Sequence, residues 1–452
     1  MKIRFGKAVV SGLAAVFAIC VAASANAASY YAGTAGSCGV TPSKTVIVNS
    51  TIGAAVAAAE AASATIVKVC PGSYPEQVTI NKNLTLEGIT ATTGGRGANQ
   101  AVITVPVSGF SDNTTDLSSS PPNPLAAQIY VHDATAVNIS NVVVDGSGWT
   151  GCSPYLIGIY FQDASGTLNR VVTRNQTAIP ASGCQGGLGI FVESGASLVT
   201  HADGTSTVTV ENSSVHGFQK NGITGNEAGT TLTVTGNQVR GQGATSGAAE
   251  NGIQIAFGAT GAIRSNTVID EVWAPCVSLS DCAWSATGIL VYDSPGVTIS
   301  SNRVGNTQGG IAVVGDGAAG VFGGSANDAT ISSNVVDGTL VLDGIDVCGS
   351  TGGTITANTV AGSGQSGIHL DGTCTSPAPT TSVATVSGNV INEACAGILN
   401  GISQTVGTNT FYNDANTILA GPDKCTLPGP NDDLSRAQTT DSGDKRPHPA
   451  QP

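Results

Sequence analysis

Charge, methionine and aromatic side chains are all scarce in this chain of 452 residues: 10% are Asp, Glu, Lys or Arg, one is Met and 4% are aromatic. Set beside 60 Gly, that scarcity excludes a helical bundle, which would need a longer supply of good helix formers. Disorder over most of the length is excluded as well, because 40% of the residues are apolar and can fill a large core. Length alone suggests two or three domains, but a repetitive architecture absorbs it as one.

Basic residues are also few, 17 Lys+Arg against 30 Asp+Glu. Three of them lie in Met1 to Ala27, which reads as a secretory signal: Lys2, Arg4 and Lys7 at the start, an apolar run from Ala8 to Ala23, and a small-residue cleavage pattern at Ala25-Asn26-Ala27. Without that segment 14 basic residues face 30 acidic ones, a formal net charge of −16. Phosphate binding needs a basic face, so nucleic acid is not an expected partner. No later apolar run is long enough to span a bilayer, and the expected location is secreted or periplasmic. Cys20 leaves with the signal. The other ten cysteines (Cys38, Cys70, Cys152, Cys184, Cys276, Cys282, Cys348, Cys374, Cys395 and Cys425) are an even set without paired C-x-x-C spacing, which favours up to five disulfides over zinc and leaves their pairing open.

What the chain has in abundance is repetition. One phrase is an apolar strand ending in Asn and followed by β-branched residues, at Asn141, Asn237, Asn266, Asn302, Asn334, Asn358 and Asn389. The other is Gly-Ile-x-apolar, beginning at Gly158, Gly189, Gly252, Gly288, Gly310, Gly344 and Gly367, with weaker copies at Gly222 and Gly397. The two alternate, and successive Gly-Ile copies lie 22 to 36 residues apart. Each phrase alternates like a strand over four or five residues, and none has helical period. Such units cannot bury an apolar face singly; stacked about 4.8 Å apart they form a continuous Val/Ile core with Asn at the turns. Asn tolerates left-handed backbone there, and stacked amides can bond from coil to coil.

This pattern resembles the right-handed parallel β-helix of the pectin-lyase-like superfamily, over roughly Thr45 to Thr410. The segment STIGAAVAAAEAAS (Ser50 to Ser63) followed by TIVKVCPGSYPEQVTINKNLTLEGI (Thr65 to Ile89) is especially similar. In that superfamily a short helix covers the open end of the solenoid, and here Ser50 is placed to cap it. The expected organisation is therefore a signal (1–27), a lead-in (28–44), one all-β solenoid (45–431) and a disordered polar tail (432–452). Ser108 to Pro124 reads as an insertion, and Val272 to Ala286 and Gly315 to Asp328 as loops walling one face of a groove.

Motifs of individual enzyme families within the superfamily do not carry over. Gln162-Asp163 resembles the Gln-Asp pair of pectinesterases, but their second Asp motif is missing, and neither the polygalacturonase nor the pectate-lyase signature is present. Gly315, Gly317 and Gly320 satisfy G-x-G-x-x-G without a following helix, so no dinucleotide site is expected, and no cofactor is required.

The candidate site comes instead from stacking. Residues two and four places after each Gly should point outward. Asp346 and His369 then share a column in successive coils, about 4.8 Å apart, with Asp371 beside His369 and Asp343 just before the strand. Carboxylates flanking a His favour its charged form and push one another's pKa apart, as acid/base catalysis requires. Glycoside cleavage uses two such carboxylates, and lyase or epimerase chemistry a base near a sugar C5 proton. The plainer alternative is a solvated ion pair stapled by Cys348 and Cys374. Glu193 and Asn226, with Gln162 and neighbouring Glu227, offer oxygen donors for calcium, as in some lyases of the superfamily. Tyr160, Phe191 and Tyr292 are placed to stack on sugar rings, and Arg170 and Arg303 to neutralise uronate carboxylates, although scattered aromatics and solvated charges are also ordinary surface.

The expected function is an exported β-helix protein that binds a polysaccharide and cleaves or epimerises it. Long-range repulsion from a −16 chain favours a neutral glycan over a polyanion. The rival is a non-catalytic adhesion or structural solenoid. Copper handling, as in accessory proteins of metalloenzyme assembly, is disfavoured by five unclustered His and a single Met. Nothing in the sequence signals an oligomer, so a monomer is expected.

Overall fold

A computed structural model describes residues 28–89, 100–116, 123–177, 184–195, 204–276, 285–315, 328–372, 381–414 and 416–420. The signal, the polar tail, the Gly-rich motif after Gly315, and Cys282, Cys374 and Cys425 lie outside them. The chain winds as a right-handed parallel β-helix, with three sheets of 13, 12 and 13 strands. One coil shows the scheme: Thr260–Arg264 joins the first sheet, Thr267–Trp273 the second and Thr287–Tyr292 the third.

The Gly-Ile phrase builds the third sheet. Ile159, Ile190, Ile223, Ile253, Ile289, Ile311, Ile345, Ile368 and Ile398 are partners in successive coils and all are buried. Gly precedes each, and at every position but Gly158 a Val, Ile or Phe of the second sheet packs against its Cα. A Cβ at Gly344 would stand 2.3 Å from Val360 Cγ1 and 2.8 Å from the Gly367 carbonyl, and one at Gly367 would stand 2.3 Å from Ile391 Cγ2. The motif thus records a close approach of two sheets, not a flexible turn.

The Asn phrase turns the corner between the first and second sheets. Asn237, Asn266, Asn302, Asn334, Asn358, Asn389 and Asn409 form one ladder, each side-chain amide donating to the next Asn Oδ1 at 2.9–3.0 Å. Left-handed backbone falls one residue earlier than expected, on Gly236, Ser265, Ser301, Ser333, Ala357 and Gly388, with φ between 55° and 70°. The ladder Asn is the stacked donor and acceptor, and its neighbour makes the bend. Asn141 occupies the bend itself, at φ 55°, and the buried Val142 follows it in place of a ladder Asn.

At the N-terminal end the helix Ile52–Ala61 lays Ile52, Ala55, Val56 and Ala59 over the core. Its N-cap is Thr51, one residue after the expected Ser50, and Glu76 adds a second cap by accepting from the Ile52 and Gly53 amides at 2.7 and 2.9 Å. The lead-in is part of the solenoid: Ser29–Ala32 pairs between Val46–Asn49 and Ile66–Val69, and Cys38–Cys70 ties it down. Cys152–Cys184 links neighbouring coils, and Cys276, Cys348 and Cys395 are also oxidised to disulfides.

Candidate functional site

The outer face of the third sheet carries almost every candidate residue, and its main departure from expectation is burial. The outward columns are covered: Tyr160, Phe191, Thr224, Gln254 and His369 are 0% exposed. Strand alternation says which way a side chain leaves the barrel but not whether another part of the chain lies over it.

The acidic and imidazole groups meet as the repeat predicts. Asp346 and His369 are direct partners on Ile345–Cys348 and Ser366–Asp371. His369 Nδ1 lies 3.2 Å from Asp343 Oδ2 and 3.6 Å from Asp346 Oδ1. Asp343 is held from behind, its Oδ1 accepting from the Ser366 amide at 2.8 Å and from the Ser366 hydroxyl. Asp371 partners Cys348 rather than joining the trio, its Oδ2 standing 3.4 Å from Cys348 Sγ. These four side chains are not on a solvated face, however: Asp343, Asp346 and Asp371 are 1%, 1% and 5% exposed. Neither an exposed ion pair nor an open catalytic cleft describes them.

The aromatic platform is likewise withdrawn from solvent. Tyr160 and Phe191 stack with centroids 5.0 Å apart in a closed apolar cluster with Leu125, Ile157 and Leu188. Tyr292 is buried in another cluster, edge-on to Phe257. Arg303 belongs to the second sheet, where it is exposed and 3.7 Å from Asp337, away from the aromatics. Arg170 is exposed at a bend with φ 55°. Gln162, Glu193 and Asn226 stack in register in successive coils, as the column predicts, and the proposed calcium donors are all hydrogen-bonded. Glu193 Oε1 accepts from the Tyr160 hydroxyl and, at 3.2 Å, from Gln162 Nε2; Asn226 accepts from Gln254 at 3.2 Å, and Glu227 from Ser194 at 3.3 Å.

Two groups of residues escaped the sequence reading. On the same sheet one coil earlier, Tyr130 and His132 stand over Tyr160 and Gln162. Tyr130 stacks on Tyr160 at 5.5 Å and on His132 at 4.6 Å, and its hydroxyl donates to Gln162 Oε1 at 2.6 Å. His132 Nδ1 lies 2.7 Å from Asp133 Oδ2, and their side chains are 26% and 71% exposed. Burial holds the Tyr130 phenol above its ordinary range, nearby Asp133 and Glu193 adding to the effect. The column was missed because this coil reads Gln128-Ile129 where the others read Gly-Ile, although the alternation in Gln128-Ile-Tyr-Val-His132 marks the same outward face.

The second group is inside the corner between the second and third sheets. Glu250 is pushed up to about 8 and Glu271 well above its usual value, burial being the first cause for each and the Glu250 charge a further one at Glu271. Lys220, buried and donating to the Ala249 carbonyl at 3.0 Å, is pushed down to about 8.

Comparison with known proteins places the architecture. A family model for NosD, described as a periplasmic copper-binding protein, matches residues 277–427, less than half of the chain. No curated protein matches. Among solved structures, the A-module of the mannuronan C-5 epimerase AlgE4 from Azotobacter vinelandii is similar at 14% identity and a TM-score of 0.50, covering 82% of this chain and 93% of the module. The GH136 lacto-N-biosidase from Eubacterium ramulus is similar at 11% identity and a TM-score of 0.52, covering 87% of this chain and 67% of that enzyme. At these identities the likeness is one of fold, and function has to be argued from the side chains.

Proposed function

We propose that this is an exported β-helix protein that binds an extracellular polysaccharide at the Tyr130–His132 end of the third sheet and modifies it by acid/base chemistry. The observation that carries the reading is the His132–Asp133 pair, 2.7 Å apart and open to solvent beside an aromatic ring. Asp133 orients the imidazole through Nδ1, which leaves Nε2 to exchange a proton with a bound sugar. Tyr130 offers a ring for the apolar face of a pyranose and a phenol that burial keeps protonated, hence a donor. Elimination, epimerisation and hydrolysis all need such a proton exchange; the product separates them. The carbohydrate-active proteins of similar fold are consistent with this class. Asp343, Asp346, His369 and Asp371 meet the spacing of an acid/base set, but at 0–5% exposure they are assigned no contact with sugar.

The test is to incubate the purified mature chain with neutral and acidic polysaccharides and to follow reducing ends, unsaturated-product absorbance and, by NMR, the epimer composition of the polymer. Activity that His132→Ala abolishes and Asp346→Ala spares supports the reading. Activity that survives His132→Ala overturns it. A non-catalytic adhesion solenoid is the second reading, favoured by the burial of Tyr160, Phe191 and Tyr292 along the same face; it predicts glycan binding without any product.

A further inference from the structure

We propose that Asp343, Asp346 and His369 form a binding site for one divalent transition cation. Among the described residues this is the one group of three His, Cys, Asp or Glu whose ligand atoms lie mutually within 4.8 Å. Their spacing is more telling than their proximity. Around a tetrahedral ion with bonds of about 2.0–2.1 Å, neighbouring ligand atoms are separated by roughly 3.3–3.4 Å. The observed 3.2 and 3.6 Å from His369 Nδ1 to the two carboxylates straddle that edge. The contrast within the same molecule is the His132–Asp133 pair, which closes to 2.7 Å. At His369 two carboxylates share one nitrogen at the longer spacing.

The scaffold prepares these donors. Asp346 and His369 are fixed by parallel pairing of adjacent coils, so little ordering is needed on binding. Ser366 engages Asp343 Oδ1 with both its amide and its hydroxyl, turning Oδ2 toward the imidazole, as an outer-shell partner does for a ligating carboxylate. All three side chains are 0–2% exposed, which limits competition from water.

The donor set selects the class of ion. An imidazole nitrogen with two carboxylate oxygens suits Zn2+, Cu2+ or Mn2+ better than Ca2+, which takes six to eight oxygens. It does not suit Cu(I), which seeks thiolate or thioether, and the described cysteines are oxidised. Three protein ligands leave a fourth position to a small ligand. Binding places the ion on Nδ1 and releases any proton held there. The inference does not rest on the polysaccharide reading, whose His132 and Tyr130 are on another part of the sheet.

The purified mature chain is stripped with a chelator, dialysed against Zn2+ and then against metal-free buffer, and its metal content and binding isotherm are measured. The expected result is about one Zn2+ per chain, with affinity reduced about 10- to 100-fold or more in Asp346→Asn and in His369→Gln. Co2+ substitution should give the intense visible absorption of a four-coordinate site, and Zn2+ but not Ca2+ should raise the Tm of the wild-type chain. That last comparison needs no variant and therefore survives a variant that fails to fold. Less than about a tenth of an equivalent bound by the wild type, an equal response to Ca2+, or full Zn2+ binding by both folded variants overturns the site.

Discussion

The side-chain amide of Asn302 donates to Asn334 Oδ1 at 3.0 Å, while its own Oδ1 receives the backbone and side-chain N–H groups of Asn266, each at 3.0 Å. A further bond runs to the Ile263 carbonyl at 2.9 Å. One buried side chain thus ties together the corners of three successive coils. Asn302→Ala removes these bonds and strands the buried donors of Asn266, at roughly 1–3 kcal/mol for each group left unsatisfied. The variant should melt well below wild type by calorimetry, and Asn302→Asp should melt below it too, because a carboxylate accepts but cannot donate onward to Asn334. A ladder substitution without effect on Tm would show that coil stacking does not depend on it.

Gly344→Ala tests the packing of the second sheet on the third. The new methyl would lie 2.3 Å from Val360 Cγ1 and 2.8 Å from the Gly367 carbonyl. Ser363 Oγ also stands 2.8 Å away, so two obstacles are side chains and one is backbone, and shortening Val360 removes only part of the strain. The expected loss is at least the roughly 1–3 kcal/mol of an overpacked core. The double variant Gly344→Ala, Val360→Ala should recover some but not all of the lost Tm. Complete recovery would mean that the Gly367 carbonyl and Ser363 hydroxyl contacts are both harmless.

These two positions also mark how far the sequence was legible. Register followed from it because Ile and Asn recur once per coil and a parallel solenoid must stack like on like. From that register the meeting of Asp346 with His369 followed directly. Exposure did not follow, because strand period distinguishes inside from outside of the barrel and is silent on what covers the outside; Tyr160, Phe191 and Tyr292 were placed on the correct face and are buried all the same. Arg303 points outward as expected of a residue that follows a ladder Asn, but that position lies on the second sheet, away from the Gly-Ile strands. Tyr130 and His132 were invisible to a search keyed on Gly-Ile, and Glu250 and Glu271 to any search for outward columns.

Tyr130→Phe separates ring from hydroxyl at the proposed sugar site. It keeps the stack on Tyr160 and His132 and deletes the donor to Gln162. On a polysaccharide that the wild type modifies, kcat should fall by roughly 10²–10⁴-fold if the phenol is the acid, with KM little changed. Tyr130→Ala should raise KM as well, through loss of the ring. Equal kinetics for wild type and Tyr130→Phe would remove the phenol from the chemistry and leave it a binding platform.

The buried corner makes stability depend on pH in an uncommon direction. Burial pushes Glu250 up to about 8 in the folded chain and raises Glu271 well above its usual value, against 4.5 for an unburied Glu. Between about pH 4.5 and 8 the unfolded chain has released these protons and the folded chain retains them, so the folded state binds more protons and loses stability as pH rises. Lys220 acts oppositely in a higher window: folded it deprotonates near 8, unfolded near 10.5, so its contribution grows as pH rises between those values. Tm should therefore fall from pH 5 to pH 8. Glu250→Gln keeps the shape of the side chain without the proton equilibrium, so its Tm should change less over that interval and exceed the wild-type value at pH 8, although not at pH 5. A Tm that rises between pH 5 and pH 8, or a Glu250→Gln profile parallel to the wild type, would mean that Glu250 ionises in the folded corner at an ordinary pH.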